Sequence, residues 1–244
     1  MRSYADIAAL SETAAREIIA IARESIAERG RFSIALSGGN TPKQTYQLLG
    51  AQHPNDTDWT RWDVVFGDER FVSADDPRSN YRMARETLLA GAPIPSDHVH
   101  AVPTDLATVD AAADAYDRTL RRVLASDATA TVDLALLGMG PDGHTASLFP
   151  GSPALDERDR WACAVAAPTT VQPAVPRVSV TLPFLNSARN VMFLVAGADK
   201  RPVLGEILSG SASGRRYPAA MVASAGRTIW LIEQSAMPVS SPNA

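Results

Sequence analysis

The sequence predicts a doubly wound α/β domain on a mostly parallel sheet. Short apolar runs alternate with amphipathic helical segments, and three of the runs open into loops rich in glycine or charge. Phe32–Leu36 (FSIAL), Trp62–Phe66 (WDVVF) and residues 132–137 (VDLALL) carry almost no polar alternation. Solid runs of this kind suit parallel strands covered on both faces, and the intervening helices supply the covers. With 244 residues, 45% of them apolar, the chain can bury one substantial core, so a single domain over 1–244 is expected.

Taken in order, residues 4–29 place Ile7, Leu10, Ala14, Ile18 and Ile21 at intervals of three and four, with Arg16, Glu17, Arg23, Glu24 and Glu28 mostly between them. That spacing predicts an amphipathic helix, closed by Gly30. Phe32–Leu36 then runs into Ser37-Gly38-Gly39-Asn40-Thr41, and Pro42 suits the first position of a following helix. Trp62–Phe66 leads into Gly67-Asp68-Glu69-Arg70, expected to be a loop, and residues 80–89 read as a helix with Met83 and Leu88 on its apolar side. A proline-rich crossover precedes a helix over 109–125. Strand 132–137 runs directly into GMGPDGHTASLFP at 138–150. Further strands are expected at 161–166, 177–182, 191–196 and 228–232, with a helix over 200–208. The tail after about residue 235, SAMPVSSPNA, is expected to be loose.

The net charge of -4, with acids and bases interleaved, gives no basic footprint for nucleic acid and no polybasic membrane patch. No segment approaches the roughly 20 apolar residues that span a bilayer, and the N-terminus is charged throughout, unlike an export signal. A small-molecule partner, a cytoplasmic location and a monomer or small homo-oligomer are expected. The single cysteine, Cys163, excludes an internal disulfide and sits in an apolar run, as a structural thiol does.

In open α/β sheets ligands bind outside the carboxyl ends of the strands, which directs attention to three loops. Ser37-Gly38-Gly39-Asn40-Thr41 has neither the Walker A nor the dinucleotide spacing. Bare backbone amides, two hydroxyls and a helix start could still hold an anion, while a tight turn capped by Asn40 or Thr41 is the plainer alternative. In the second loop Asp68, Glu69 and Arg70 follow a buried strand; an arginine there suits a phosphate, and a carboxylate suits a sugar hydroxyl or a histidine. In the third, Asp142 and His144 stand two apart among Gly138, Gly140 and Gly143, so His144 suits a general base oriented by Asp142, or else a capping histidine in a turn. Lys200, starting a helix at a strand end, is a further phosphate candidate. Ser147 lacks the GxSxG context of a hydrolase nucleophile, and His98 and His100 lack a third metal ligand nearby. Arg177, at the beginning of the RVSVTL strand, could face the same site, but its place at a strand's start favours the surface.

Together SGGNTP (37–42), GDERFV (67–72) with SNY (79–81), GMGPDGHTASLFPG (138–151) and RVSVTLP followed by LVAGADK (177–200) resemble the signature segments of the 6-phosphogluconolactonase family, within the wider glucosamine-6-phosphate isomerase/deaminase superfamily. The likeness runs from about residue 30 to 235. It implies a three-layer α/β/α fold of the deaminase-like, Rossmann-like type. It also implies hydrolysis of 6-phospho-D-glucono-1,5-lactone in the oxidative pentose phosphate pathway, with no metal or organic cofactor. Amino-sugar phosphate deaminases carry a loop like GPDGHIAFNEP, with a glutamate five residues after the histidine; here that position is Phe149, which favours the lactonase. On this resemblance Ser37, Gly38, Gly39, Asn40, Thr41, Arg70 and Lys200 are expected to hold the phosphate. His144, Asp142 and Asp68 are expected to serve the reaction itself. A sugar-phosphate sensor without catalysis is the remaining alternative.

Overall fold

The first helix forms where the apolar spacing places it. In the computed structural model, which describes residues 1–53, 55–124 and 132–238, α1 spans Ile7–Arg29. Asp6 caps it by accepting the Ala9 N–H at 2.8 Å, and Gly30 ends it in the left-handed region at φ 76°, donating its N–H to the Ile26 carbonyl. The helix starts later than expected because Arg2–Tyr4 is a short strand, β1.

The other strands are β2 (Phe32–Leu36), β3 (Trp62–Phe66), β4 (Asp68–Arg70), β5 (Leu134–Leu137), β6 (Ala162–Val165), β7 (Arg177–Val180), β8 (Asn190–Val195) and β9 (Arg227–Glu233). Six of them form a sheet in the order β1-β9-β8-β5-β2-β3, and every pairing in it is parallel. β2 and β5 are buried at every position, as their unbroken apolar runs require. From β2 the chain steps outward to β3, then returns to place β5 on the other flank of β2 and continues to β8 and β9. This reversal leaves a crevice at the carboxyl ends of β2 and β5, where open sheets bind ligands.

One loop expectation is corrected. Residues 67–70 do not form a loop: Asp68–Arg70 pairs antiparallel with β7, which pairs antiparallel with β6, in a separate three-stranded sheet. The segments expected as strands at 161–166 and 177–182 therefore belong to this second sheet rather than to the parallel one. Gly67 makes the transfer. Its N–H donates to the Leu36 carbonyl of β2 at 2.8 Å, while its carbonyl accepts the Val180 N–H of β7 at 2.8 Å.

The helices are α2 (Asn40–Gln52), α3 (Asn80–Ala84), α4 (Val109–Leu124), α5 (Leu182–Ser187), α6 (Arg201–Leu208) and α7 (Pro218–Met221). α3 continues as a π turn over Arg85–Leu89, so the helix expected over 80–89 is present but changes its hydrogen-bond register. The expected end of α4 at residue 125 lies outside the described residues. β7 stops at Val180 because Thr181 turns into the cap of α5, its hydroxyl accepting the Phe184 N–H. Two buried tyrosines tie helices to strand ends. The Tyr46 hydroxyl of α2 accepts the Ser37 N–H and donates to the Ser37 carbonyl, both at 2.9 Å, and Tyr116 of α4 does the same for Phe66 at 2.6 and 2.9 Å. In the tail Ala236 is buried and Arg201 donates to the Ser235 carbonyl, so the chain is still packed just past residue 235; residues 239–244 lie outside the described residues.

Candidate active site

The loops after β2, β5 and β8 meet the edge of the second sheet around a cleft of about 430 Å³. On its β2 side lie Ser37, Gly38, Gly39, Asn40 and Thr41. The plainer reading of that loop is not what forms: the cap of α2 is Gly39, neither Asn40 nor Thr41 caps, no side chain bonds the helix start, and Pro42 is the third helical residue rather than the first. The amino end of a thirteen-residue helix thus faces the cleft with its dipole uncompensated by any capping carboxylate or hydroxyl. Ser37 contributes differently from its glycine neighbours. Its amide is committed to Tyr46, so its hydroxyl is what remains for a ligand. Gly38 lies so close to Asn80 that an added Cβ would stand 2.2 Å from Asn80 Oδ1, so a side chain here would have to displace Asn80 from its bonds to Asp68.

On the second wall β4 and β7 set Arg70 opposite Arg177 in the antiparallel register. The expectation of a surface Arg177 is corrected: the residue is 2% exposed and lines the cleft. Burial lowers its pKa first, the neighbouring Asp68 works against that, and the like charge of Arg70 adds to the lowering. Two guanidiniums side by side on a ladder repel, and each has a buried Nε–H with no hydrogen-bond partner among the described residues. Arg70 donates to the Arg78 carbonyl at 2.7 Å, and Arg177 donates to the Pro173 carbonyl at 3.0 Å and, at 3.4 Å, to the Ser147 hydroxyl. Lys200 lines the same cleft from the β8 loop, its Nζ 2.5 Å from Asp199 Oδ2. Arg70 and Lys200, 130 residues apart in sequence, therefore face one space.

Asp68 also lines the cleft, but it is buried and its bonds go elsewhere than to His144. Asn80 Nδ2 donates to its carbonyl at 2.8 Å and to Oδ1 at 3.0 Å, Ser147 Oγ donates to Oδ2 at 2.6 Å, and the Arg177 guanidinium stands 3.8 Å away. Glu69 points into the start of α3, accepting from the N–H groups of Arg70, Asn80 and Tyr81 and from the Ser79 hydroxyl. Burial raises its pKa against the pull of those backbone donors.

The third wall is the β5 loop. His144 Nδ1 lies 2.6 Å from Asp142 Oδ1, and the His144 N–H reaches the same oxygen at 3.2 Å. A carboxylate there makes Nδ1 the protonated nitrogen of the neutral ring and leaves Nε2 as its acceptor. Burial pushes the Asp142 carboxyl up, but bonding and Coulomb attraction from His144 outweigh it and hold the group below its ordinary value. Gly140 lets the pair close: a Cβ there would stand 2.1 Å from His144 Nδ1. The loop is braced from behind by α7, whose Ala219 N–H donates to the Gly143 carbonyl at 3.0 Å. Phe149 packs against the imidazole at 4.8 Å between ring centroids, and the Arg177 guanidinium sits 5.4 Å from the centroid of the Phe149 ring. The position expected as a glutamate in deaminase loops is here an apolar ring in contact with both the imidazole and the guanidinium.

The remaining sequence candidates fall outside this arrangement. His98 bonds the Trp62 carbonyl and His100 bonds Asp63, away from the cleft, and Cys163 is a half-buried thiol on β6 that burial pushes up to about 11. The sequence pattern did not single out Asn80 or Tyr46; it favoured the surface for Arg177, and it weighed Ser147 only as a nucleophile. One signal was present: in RVSV two polar residues alternate with two valines, as on a strand whose polar face is turned inward.

Comparison with known proteins places these features in context. The family described as glucosamine-6-phosphate isomerases/6-phosphogluconolactonase matches residues 5–230. A 6-phosphogluconolactonase of Synechocystis sp. is 44% identical over 217 residues, covering 87% of this chain and 86% of that protein. The crystal structure of a 6-phosphogluconolactonase from Leishmania guyanensis superposes with a TM-score of 0.86 at 30% identity, covering 100% of this chain and 98% of the other. One from Thermotoga maritima gives 0.83 at 32%, covering 96% and 98%. The mostly parallel sheet with its helices is thus the deaminase-like α/β fold of these neighbours. Among the described residues no helix is long and apolar enough to cross a membrane.

Proposed function

Because this chain belongs to the glucosamine-6-phosphate isomerase/6-phosphogluconolactonase family, we propose that it is a lactone hydrolase that converts 6-phospho-D-glucono-1,5-lactone to 6-phospho-D-gluconate, a step of the oxidative pentose phosphate pathway. The observation that carries this reading is the pairing, across one cleft, of an Asp142-oriented His144 with a wall of amides and guanidiniums built for an anion.

The phosphoryl group sits against the amino end of α2, the Ser37 hydroxyl, Arg70, Arg177 and Lys200. A dianion there relieves the repulsion between the two cross-strand guanidiniums and supplies acceptors for their buried Nε–H groups. Binding energy from this remote group orients C1 of the lactone beside the imidazole. His144 Nε2 takes a proton from water as the water oxygen attacks C1. Asp142 steadies the imidazolium that results. The tetrahedral oxyanion draws on backbone N–H groups of the glycine loops. It collapses by breaking the bond from C1 to the ring oxygen, which receives the proton held on His144. The new carboxylic acid then loses its own proton to solvent. Every group in this sequence of steps belongs to the chain, the substrate or water.

Phe149 supports lactone opening over deamination. Ring opening and isomerisation of an amino sugar call for a further acid beside the histidine, and an apolar ring fills that place. The test follows proton release from the phosphorylated lactone at slightly acidic pH, where the uncatalysed reaction is slow, alongside ammonia release from glucosamine 6-phosphate. Rapid lactone opening without ammonia is the expected result. Ammonia from the amino sugar, or no acceleration of lactone loss, would overturn the reading.

A further inference from the structure

One buried hydroxyl stands where the His144 loop meets the cationic wall. Ser147 is fully buried three residues beyond His144. Its Oγ donates to Asp68 Oδ2 at 2.6 Å and receives a long bond from Arg177 Nη1 at 3.4 Å, while its N–H is fixed by Ser179 Oγ at 3.1 Å. Asp68 Oδ2 and Arg177 Nη1 themselves are 3.8 Å apart, an ion pair beyond hydrogen-bond distance, and the Ser147 hydroxyl is hydrogen-bonded to both. The other carboxylate oxygen is held by Asn80 at 3.0 Å. Both Asp68 oxygens are thus supplied with donors, and Arg177 Nε, in the wall of the cleft, has no hydrogen-bond partner among the described residues. With both side chains buried, a carboxylate that lost its hydroxyl donor would draw the guanidinium in directly.

Resting on the lactonase reading, we propose that Ser147 is a positioning residue: its hydroxyl holds Asp68 off Arg177, keeping the guanidinium turned to the substrate's phosphoryl group and tying that wall to the His144 loop. Without the hydroxyl, Arg177 closes on Asp68 and the phosphoryl group loses a charged partner. The chemical step at His144 is left intact.

The experiment uses the full chain carrying Ser147→Ala, Ser147→Cys or Ser179→Ala. The readouts are KM and kcat on the phosphorylated lactone, kcat/KM on unphosphorylated gluconolactone, and the affinity for inorganic phosphate by calorimetry. Ser147→Ala is expected to raise both KM and the phosphate dissociation constant about tenfold, the factor that corresponds to one such interaction. It should leave kcat and the unphosphorylated reaction near wild type. Ser147→Cys, with a weaker donor of similar size, should fall between and carries the test if the alanine variant does not fold. Ser179→Ala removes a different bond to the same residue and should leave the phosphate constant unchanged. Unaltered phosphate affinity in the Ser147 variants, or an equal loss in Ser179→Ala, would overturn the proposal. If the wild-type chain fails to open the lactone, the functional reading falls, while the phosphate affinities still decide the role of Ser147.

Discussion

The 2.6 Å bond between Asp142 and His144 determines which face of the imidazole meets the cleft, and it leaves a thermodynamic trace. Because His144 holds the Asp142 carboxyl below its ordinary value despite the opposing effect of burial, the folded state binds that proton less readily than the unfolded chain does. The resulting stability is fully present above the unfolded value of about 3.9 and is lost as pH falls through the lower folded value. Asp142→Asn should therefore lower the urea midpoint at pH 7, with the gap to wild type shrinking once the pH drops below about 4. An equal gap at pH 7 and pH 3 would contradict this origin. The pair was legible in the sequence because both members sit in one turn, two residues apart. Arg177 was not, because its inward position depends on a strand partner that local sequence does not name.

At the scale of elements, β4 illustrates where pattern reading stops. Asp68-Glu69-Arg70 reads as a charged loop because burying Asp68 and Glu69 beside a half-buried Arg70 is costly unless each charge is paired. That cost is met by specific partners outside the second sheet: Asn80 and Ser147 for Asp68, the start of α3 for Glu69, and the Arg78 carbonyl for Arg70. Glu69→Gln preserves the volume but puts an NH₂ group among donors. A loss of about 2–3 kcal/mol in denaturant unfolding is expected, the cost of leaving buried polar groups unsatisfied. A change below about 0.5 kcal/mol, as at an ordinary surface site, would show that the carboxylate does not hold the start of α3. Helices and parallel strands were legible nearly throughout, since their apolar periodicities are properties of single segments. β1 was missed because three exposed or half-exposed residues, Arg2–Tyr4, carry no such pattern.

Across the whole molecule, the strand order converts separate loops into one site. β2, β5 and β8 are neighbours in the parallel sheet, so the loops that follow them open on the same side, and Gly67 hands the chain to a second sheet that brings Arg70 and Arg177 to the same cleft. The convergence of Arg70 with Lys200 depends on that order, which apolar runs alone do not encode. The proposed division of labour assigns binding to the two arginines, Lys200 and the amino end of α2, and proton transfer to His144. Turnover of 6-phospho-D-glucono-1,5-lactone by His144→Ala separates these roles: kcat should fall by about 10²–10⁴-fold, the range for loss of a general acid–base. KM should stay close to wild type because the phosphate wall is untouched. A near-normal kcat would remove His144 from the proton transfer and contradict the mechanism at its centre.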